Sequence, residues 1–143
     1  MNREKSCGAI VFTKRDGKIL FVIVEEASGA YSFPKGHVEG DETEMQTAAR
    51  EILEETSLKP RFVPGFRETD EYDLSEKPDT RKQVVYFLAE YSDGPLIPRQ
   101  KEIKSIQLLP FEEAMRCFAH EGTRLILAHA NAFLLRQEKP SPA

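Results

Sequence analysis

Residues 36–58 read GHVEGDETEMQTAAREILEETSL, and the rest of the chain is best understood outward from them. Seven acidic side chains (Glu39, Asp41, Glu42, Glu44, Glu51, Glu54 and Glu55) face a single basic one, Arg50. The stretch thus carries −6 in a chain whose formal charge is −4, which leaves +2 for everything else. The spacing predicts a helix over about 44–56, with Thr43 and Gln46 as a capping box and Asp41 with Glu44 as a second register. On a wheel of about 100° per residue, Glu54 and Glu55 lie roughly 60° and 40° to either side of Glu51. Met45, Ala49, Ile52 and Leu53 fall on an apolar stripe expected to meet the core. Neighbouring carboxylates on one face repel by a few tenths of a kcal/mol per i,i+4 pair, and Arg50, four residues before Glu54, offsets only part of that. Oxygen-only ligands in such a pattern suit a hard divalent cation. With no Cys and no clustered His, the stretch suits zinc poorly. Spacing alone leaves both hard-metal binding and a solvated acidic face open.

Upstream, GAIVF at 8–12 and ILFVIV at 19–24 flank Asp16-Gly17, a pair suited to the positive φ of a tight antiparallel turn. A further extended piece, Tyr31 to Phe33, runs into Pro34-Lys35-Gly36, where proline and glycine predict a shaped corner. Downstream, strands are expected near 62–66, 84–91 and 104–108. Helices are expected from near Pro110 to about 118 and over about 123–136, the latter facing the core with Leu125, Ile126, His129 and Phe133. Residues 68–82, ETDEYDLSEKPDTRK, are dense in charge and read as a solvent-exposed excursion, either plain surface or a functional loop. Strands bracketing one helix, with two more helices at the end, indicate an α/β protein and exclude a helical bundle or a regular βα repeat.

The length of 143 residues fits a single domain spanning 1–143, with residues 137–143 expected to form a flexible tail. Forty per cent hydrophobic and 31% charged residues exclude whole-chain disorder. The net negative charge argues against duplex nucleic acid as a partner. Two cysteines, Cys7 and Cys117, cannot make a disulfide framework and suggest a reducing, cytoplasmic setting. No run approaches the roughly 20 apolar residues of a membrane span, and no obligate protein partner is evident.

In residues 36–58, Gly36, five residues, Glu42, seven residues, Arg50-Glu51, Ile52, one residue, Glu54-Glu55, one residue, Ser57 and Leu58 follow one another. This order resembles the Nudix box, with one departure: the family usually has glycine where Ser57 stands. A residue just past a helix end commonly takes the left-handed conformation, so serine there should cost about 1 kcal/mol without removing a ligand. The resemblance implies a Nudix α/β/α sandwich with a mixed β-sheet between helices, extending over about residues 5–136. It implies Gly36, Glu51, Glu54, Glu55 and Glu102 as metal site, with Mg²⁺ as cofactor and Mn²⁺ as its substitute. Glu54, Glu102 and Arg50 would form the catalytic set, Arg50 by orienting a glutamate, and Glu42 would assist.

Three further segments resemble the branch of that family that hydrolyses diadenosine tetraphosphate asymmetrically. They are YSFPKGHVE at 31–39, GFRETDEY at 65–72 with KPDTRKQVVYFLAEY at 77–91, and QKEIKSIQLL at 100–109, where Glu102 matches a glutamate outside the box. The branch implies a dinucleoside polyphosphate or other nucleotide as partner, cleaved to ATP and AMP. Lys35 and His37 would meet phosphate, Tyr72 would stack on a base and Tyr86 would lie near the phosphates. A nucleoside triphosphate, an RNA 5′ end, and a Nudix-like module that binds nucleotide without catalysis are the alternatives.

Overall fold

The computed structural model describes residues 1–98 and 102–138. In chain order its elements are β1 (Asn2–Arg15), β2 (Lys18–Glu26), β3 (Tyr31–Ser32), β4 (Lys35–His37), α1 (Glu44–Thr56), β5 (Arg61–Asp73), β6 (Thr80–Glu90), β7 (Ile103–Pro110), α2 (Phe111–Cys117) and α3 (Glu121–Glu138).

The first hairpin forms as its turn residues dictate. Asp16 and Gly17 both have positive φ (51° and 77°), and Arg15 pairs with Lys18 across the two-residue loop. From there the sheet forks. β1 and β2 pair only from Phe12 and Phe21 towards the turn, and the segment 31–37 fills the gap between their other ends. Its first half is β3, on β2; its second half is β4, on β1. Pro34 lies between them, and its carbonyl accepts from Ala9 N–H at 3.2 Å. The corner expected at 34–36 is therefore confined to Phe33-Pro34, because Lys35 and Gly36 already belong to a strand.

β1 runs parallel to β6, whereas the other pairings are antiparallel, so the sheet is mixed, ordered β3-β2-β1-β6-β5 with β7 on the outer side of β2. Alternation along the strands sends side chains to two cores. Cys7, Ala9, Val11, Val22, Val85 and Phe87 pack with Ala48 and Ile52 of α1. Ile10, Phe12, Phe21, Ile23, Val84 and Leu88 pack with Ala114 of α2 and with Ile126, Leu127, Ala130 and Leu134 of α3. The result is an α/β/α sandwich with one helix on one face and two on the other. Among the described residues no helix is long and apolar enough to cross a membrane.

Three expectations need correction. Residues 68–82 are a loop only over the turn at 74–79: β5 and β6 form a long hairpin paired in register from Arg67↔Phe87 to Asp73↔Arg81. The charge belongs to a two-sided ribbon at the sheet edge, where one strand face is wet. On α3, Leu125 is 56% exposed and His129 is exposed, while Leu127, Ala130 and Leu134 are buried. The helix is thus rotated from the expected face, although Ile126 and Phe133 do reach the core. On α1, Met45 and Ala49 are exposed, and the buried face is Thr47, Ala48, Glu51, Ile52 and Thr56. Of the expected tail, residues 137 and 138 end α3, and 139–143 lie outside the described residues.

Candidate active site

α1 begins where its cap predicts. Thr43 Oγ1 accepts from Gln46 N–H at 3.1 Å and Gln46 Oε1 accepts from Thr43 N–H at 2.9 Å, which selects this capping box over the Asp41 register. It ends at Ser57, whose φ of 70° is left-handed and whose N–H donates to Leu53 O at 2.9 Å. The Ser57 hydroxyl also donates to Ile97 O at 2.8 Å, a bond glycine could not make.

Between these ends the helix lies under β4. A Cβ on Gly36 would sit 2.1–2.4 Å from the Glu51 carboxylate, so any side chain here would push that carboxylate out of its place under the strand. That close approach explains why an acidic residue takes part in the buried face of α1. Burial raises the Glu51 carboxyl above the ordinary carboxylate range, against the opposing pull of Arg50.

Arg50 organises the corner. Its Nε and Nη2 donate to the two oxygens of Glu42 at 2.7 and 3.0 Å. Nη1 reaches Glu51 at 2.9 Å and Glu54 at 3.2 Å, and Nη2 also donates to the His37 carbonyl at 2.8 Å. One planar guanidinium thereby ties the loop before α1, the helix itself and the end of β4 together. The Arg50 hydrogen bonds hold the Glu42 carboxyl at about 2, assisted by a bond from Glu39 N–H, and Arg50 itself is pushed further above its ordinary value.

Glu55 is the odd member. Its carboxylate accepts from Lys35 N–H at 3.2 Å, yet burial and, after it, the nearby Glu51 charge push it up to about 8. An all-oxygen set with one carboxylate this reluctant to ionise suits a hard cation, which would relieve both burial and repulsion. Glu51, Glu54, Glu55 and the backbone at Gly36 are the groups that could hold it. Among the described residues no three acidic or histidine side chains already stand in ligating arrangement, and Arg50 engages two of the carboxylates.

A basic row leads away from this corner along the face that carries α2 and α3. Sheet register sets Glu4, Lys82 and Tyr72 side by side on β1, β6 and β5. Lys82 is 7% exposed, with its Nζ 3.0 Å from His37 Nε2. Burial and then the proximity of Lys35 lower its pKa. Tyr72 is half-buried and stands edge-on to the His120 ring at 5.2 Å, while His120 Nε2 lies 2.8 Å from Asp70. Lys35 and His37 thus reach the carboxylate corner through the β4 backbone, while register turns their side chains, like Tyr72, to the face of α2 and α3. Lys82 was missed from sequence: inside a charged segment, nothing marks it as the lysine that strand alternation turns inward.

Two expected residues stand elsewhere. Tyr86 is only 3% exposed, its ring packed edge-on against Phe33 in the core. Glu102 is exposed just before β7; its carbonyl accepts from Ala27 N–H at 2.7 Å, and no described ion pair or hydrogen bond ties its carboxylate to α1. Lys101 lies outside the described residues. A cleft of about 470 Å³ between β5 and α3, lined by Phe66, Arg67, Glu68, His129, Phe133 and Arg136, contains none of the box residues. Charge arrangement, not cleft size, locates the site.

Known proteins agree with this architecture. The NUDIX domain model matches residues 3–130. The asymmetrical bis(5′-nucleosyl)-tetraphosphatase of Sus scrofa is 31% identical over 142 residues, covering 91% of this chain and 95% of that protein. A NAD-capped RNA hydrolase of Erwinia tasmaniensis is 35% identical over 96 residues, covering 66% of this chain and 34% of its own. The crystal structure of a C. elegans Ap4A hydrolase binary complex superposes with a TM-score of 0.86 at 26% identity, covering 93% of this chain and 98% of that one.

Proposed function

The chain belongs to the NUDIX domain family, and on that premise we propose that it hydrolyses dinucleoside polyphosphates, above all diadenosine tetraphosphate, to ATP and AMP. The observation that carries this reading is the succession of groups around the β4 edge: carboxylates at Glu51, Glu54 and Glu55 on α1, Lys35 bonded to Glu55 through its N–H, then Lys82 with His37, then the Tyr72 ring beside Lys82. A ligand with a base, several phosphates and a scissile anhydride presents its parts in that sequence. The similarity to tetraphosphatases over 91% of the chain supports the same substrate class.

Each group has a task. Tyr72 offers a stacking face, which suits any base and contributes about 1–3 kcal/mol. Lys82, Lys35 and His37 draw phosphate oxygens and leave the reacting phosphorus near α1. Arg50 is a positioning residue that keeps Glu51 and Glu54 turned to one side. Mg²⁺, or Mn²⁺ in its place, would neutralise phosphate charge and lower the pKa of the attacking water when bound by these carboxylates. Glu102 is proposed as the group that takes the water's proton or as a further ligand. E102Q is then expected to lower kcat strongly with little change in KM, and near-wild-type turnover would remove Glu102 from the site.

The testing experiment compares initial rates on diadenosine tri-, tetra-, penta- and hexaphosphate, ATP and NAD with Mg²⁺, resolving products by chromatography. The expected result is fastest turnover of the tetraphosphate with ATP and AMP in equal amounts. Preference for ATP or NAD would favour the triphosphate or RNA-cap readings, the latter suggested by the partial match to a NAD-capped RNA hydrolase. Binding without any turnover would favour a silent nucleotide-binding module.

A further inference from the structure

Inside the basic row, between His37 and Lys82, a carboxylate sits among the cations. Glu4 receives Lys77 Nζ at 2.6 Å and lies 3.3 Å from His37 Nε2 and 3.9 Å from Lys82 Nζ. Its side chain is 23% exposed, so it is reachable from solvent without being loose. The three cationic or hydrogen-bonding groups come from separate elements: β4, β6 and the turn between β5 and β6. They converge on Glu4 because β1 runs parallel to β6 with Glu4 opposite Lys82. His37 Nε2 can accept from Lys82 or donate to Glu4, but not both at once. One of those two contacts is therefore always forgone, and an anion with more acceptor oxygens than one carboxylate would take donors from all three side chains.

We propose that Glu4 is a specificity-determining residue: an internal anion occupying the place of an outer phosphate, which a long polyphosphate must displace from Lys77, Lys82 and His37. The inference rests on the functional reading above and deepens it. A short phosphate chain held beside Lys35 stops short of the cluster, whereas each added phosphate brings negative charge closer to Lys82 and to Glu4 beside it. Glu4 thus acts against the longest chains, and the preferred length is set where the cation attraction and the Glu4 repulsion balance.

The rival account is that Glu4 merely holds Lys82 in place, and the two accounts predict opposite signs. If Glu4 competes with phosphate, removing its charge tightens anion binding; if it positions the lysine, removal weakens binding. The experiment is calorimetric titration of the full chain with inorganic tripolyphosphate at fixed Mg²⁺, comparing wild type, Glu4→Gln and Glu112→Gln. Glu112, exposed in the first turn of α2 and with no described hydrogen bond or ion pair to the row, controls for net charge. The expected result is binding about 3- to 5-fold tighter in E4Q, the upper part of the range for one partly exposed ion pair, with E112Q within 2-fold of wild type. Diadenosine hexaphosphate should gain more than the triphosphate in kcat/KM. Equal or weaker tripolyphosphate binding by E4Q, or equal gains in E4Q and E112Q, would overturn the proposal, as would failure of tripolyphosphate to bind any of the three proteins. Glu4→Ala, with thermal melting alongside, repeats the test should the glutamine variant fold poorly. Tightening in E4Q without any turnover of dinucleoside polyphosphates would instead sink the functional reading and leave the anion site standing.

Discussion

α1 and α3 are both amphipathic helices laid against the same sheet, yet they bury opposite things. α3 turns Ile126, Leu127, Ala130 and Leu134 inward and meets β5 at its rim through His129 with Glu68 and Phe133 with Phe66. α1 buries Ala48 and Ile52 but also Glu51, and lifts Glu55 to about 8. A purely structural helix has no reason to bury repelling carboxylates. The contrast sets a helix packed through apolar contacts on one side of the sheet against a carboxylate-bearing helix on the other, and the basic row lies on the side of α3.

The sharpest way to break that contrast is to exchange sensitivities. Glu54→Gln or Glu55→Gln is expected to lower turnover at least about 100-fold at saturating Mg²⁺, equivalent to some 2.7 kcal/mol of transition-state stabilisation, while the fold persists. Leu127→Ala should do the reverse: a loss of about 2–3 kcal/mol in urea unfolding, at the lower end for buried leucine, with kcat retained in the folded fraction. Unchanged turnover in both glutamine variants would end the case for a catalytic α1.

A smaller effect tests where the row ends. Tyr72→Ala should raise KM for the dinucleotide by about 5- to 150-fold, the range that follows from stacking worth about 1–3 kcal/mol. Tyr72 also packs on His120 and on the core, so stability must be measured beside KM. Equal KM values would make the β5–β6 ribbon plain surface.

The sequence disclosed α1 far more fully than the ribbon. The box is local: its cap, its arginine and its carboxylates lie within 23 residues, and helix geometry alone relates them. The Asp16-Gly17 hairpin was legible for the same reason, since two residues set the turn. What escaped depends on distant partners. Glu51 is buried because β4 crosses it at Gly36. The rotation of α3 answers to His129–Glu68 and His120–Asp70, pairs 61 and 50 residues apart. The ribbon at 68–82 is hidden by its charge, which in sequence looks the same in a loop and in a wet edge ribbon that tolerates charge on its outer face.

A subtler consequence concerns pH. Glu55 in the folded, metal-free protein titrates near 8, above its ordinary 4.5, because burial and Glu51 disfavour the anion. A group whose pKa is raised by folding contributes stability that is complete below about 4.5 and is lost as pH rises through about 8. The metal-free protein is therefore expected to lose stability over that window. Glu55→Gln should flatten the slope, and Mg²⁺ should shrink it by favouring the carboxylate. Thermal melts at pH 5, 7 and 8.5 with and without Mg²⁺ provide the check, and an E55Q slope equal to wild type would remove Glu55 as its source.

The smallest effect lies at the end of α1, where serine replaces the glycine usual to this family. Ser57 pays for a left-handed backbone, about 1 kcal/mol relative to glycine, at a φ of 70°. Its hydroxyl recovers part of that through the 2.8 Å bond to Ile97 O, which ties the helix end to the segment after β6. Such a bond is worth about 0.5–1.5 kcal/mol net, and glycine would add about 0.5–1 kcal/mol of unfolded-chain entropy to be lost on folding. Ser57→Gly therefore removes a strain, a hydrogen bond and a conformational restriction together, and its net effect should lie between zero and about 1.5 kcal/mol of destabilisation. Ser57→Ala keeps the strain and loses the bond, so it should destabilise by about 1 kcal/mol. Urea unfolding of the pair separates the two contributions. If alanine is as stable as serine, the hydroxyl bond contributes nothing; if glycine is more stable by a full 1 kcal/mol, the serine is a plain cost. Neither change moves a carboxylate, so kcat should stay within about 2-fold of wild type in both, which places this departure from the family on the scaffold side of the helix.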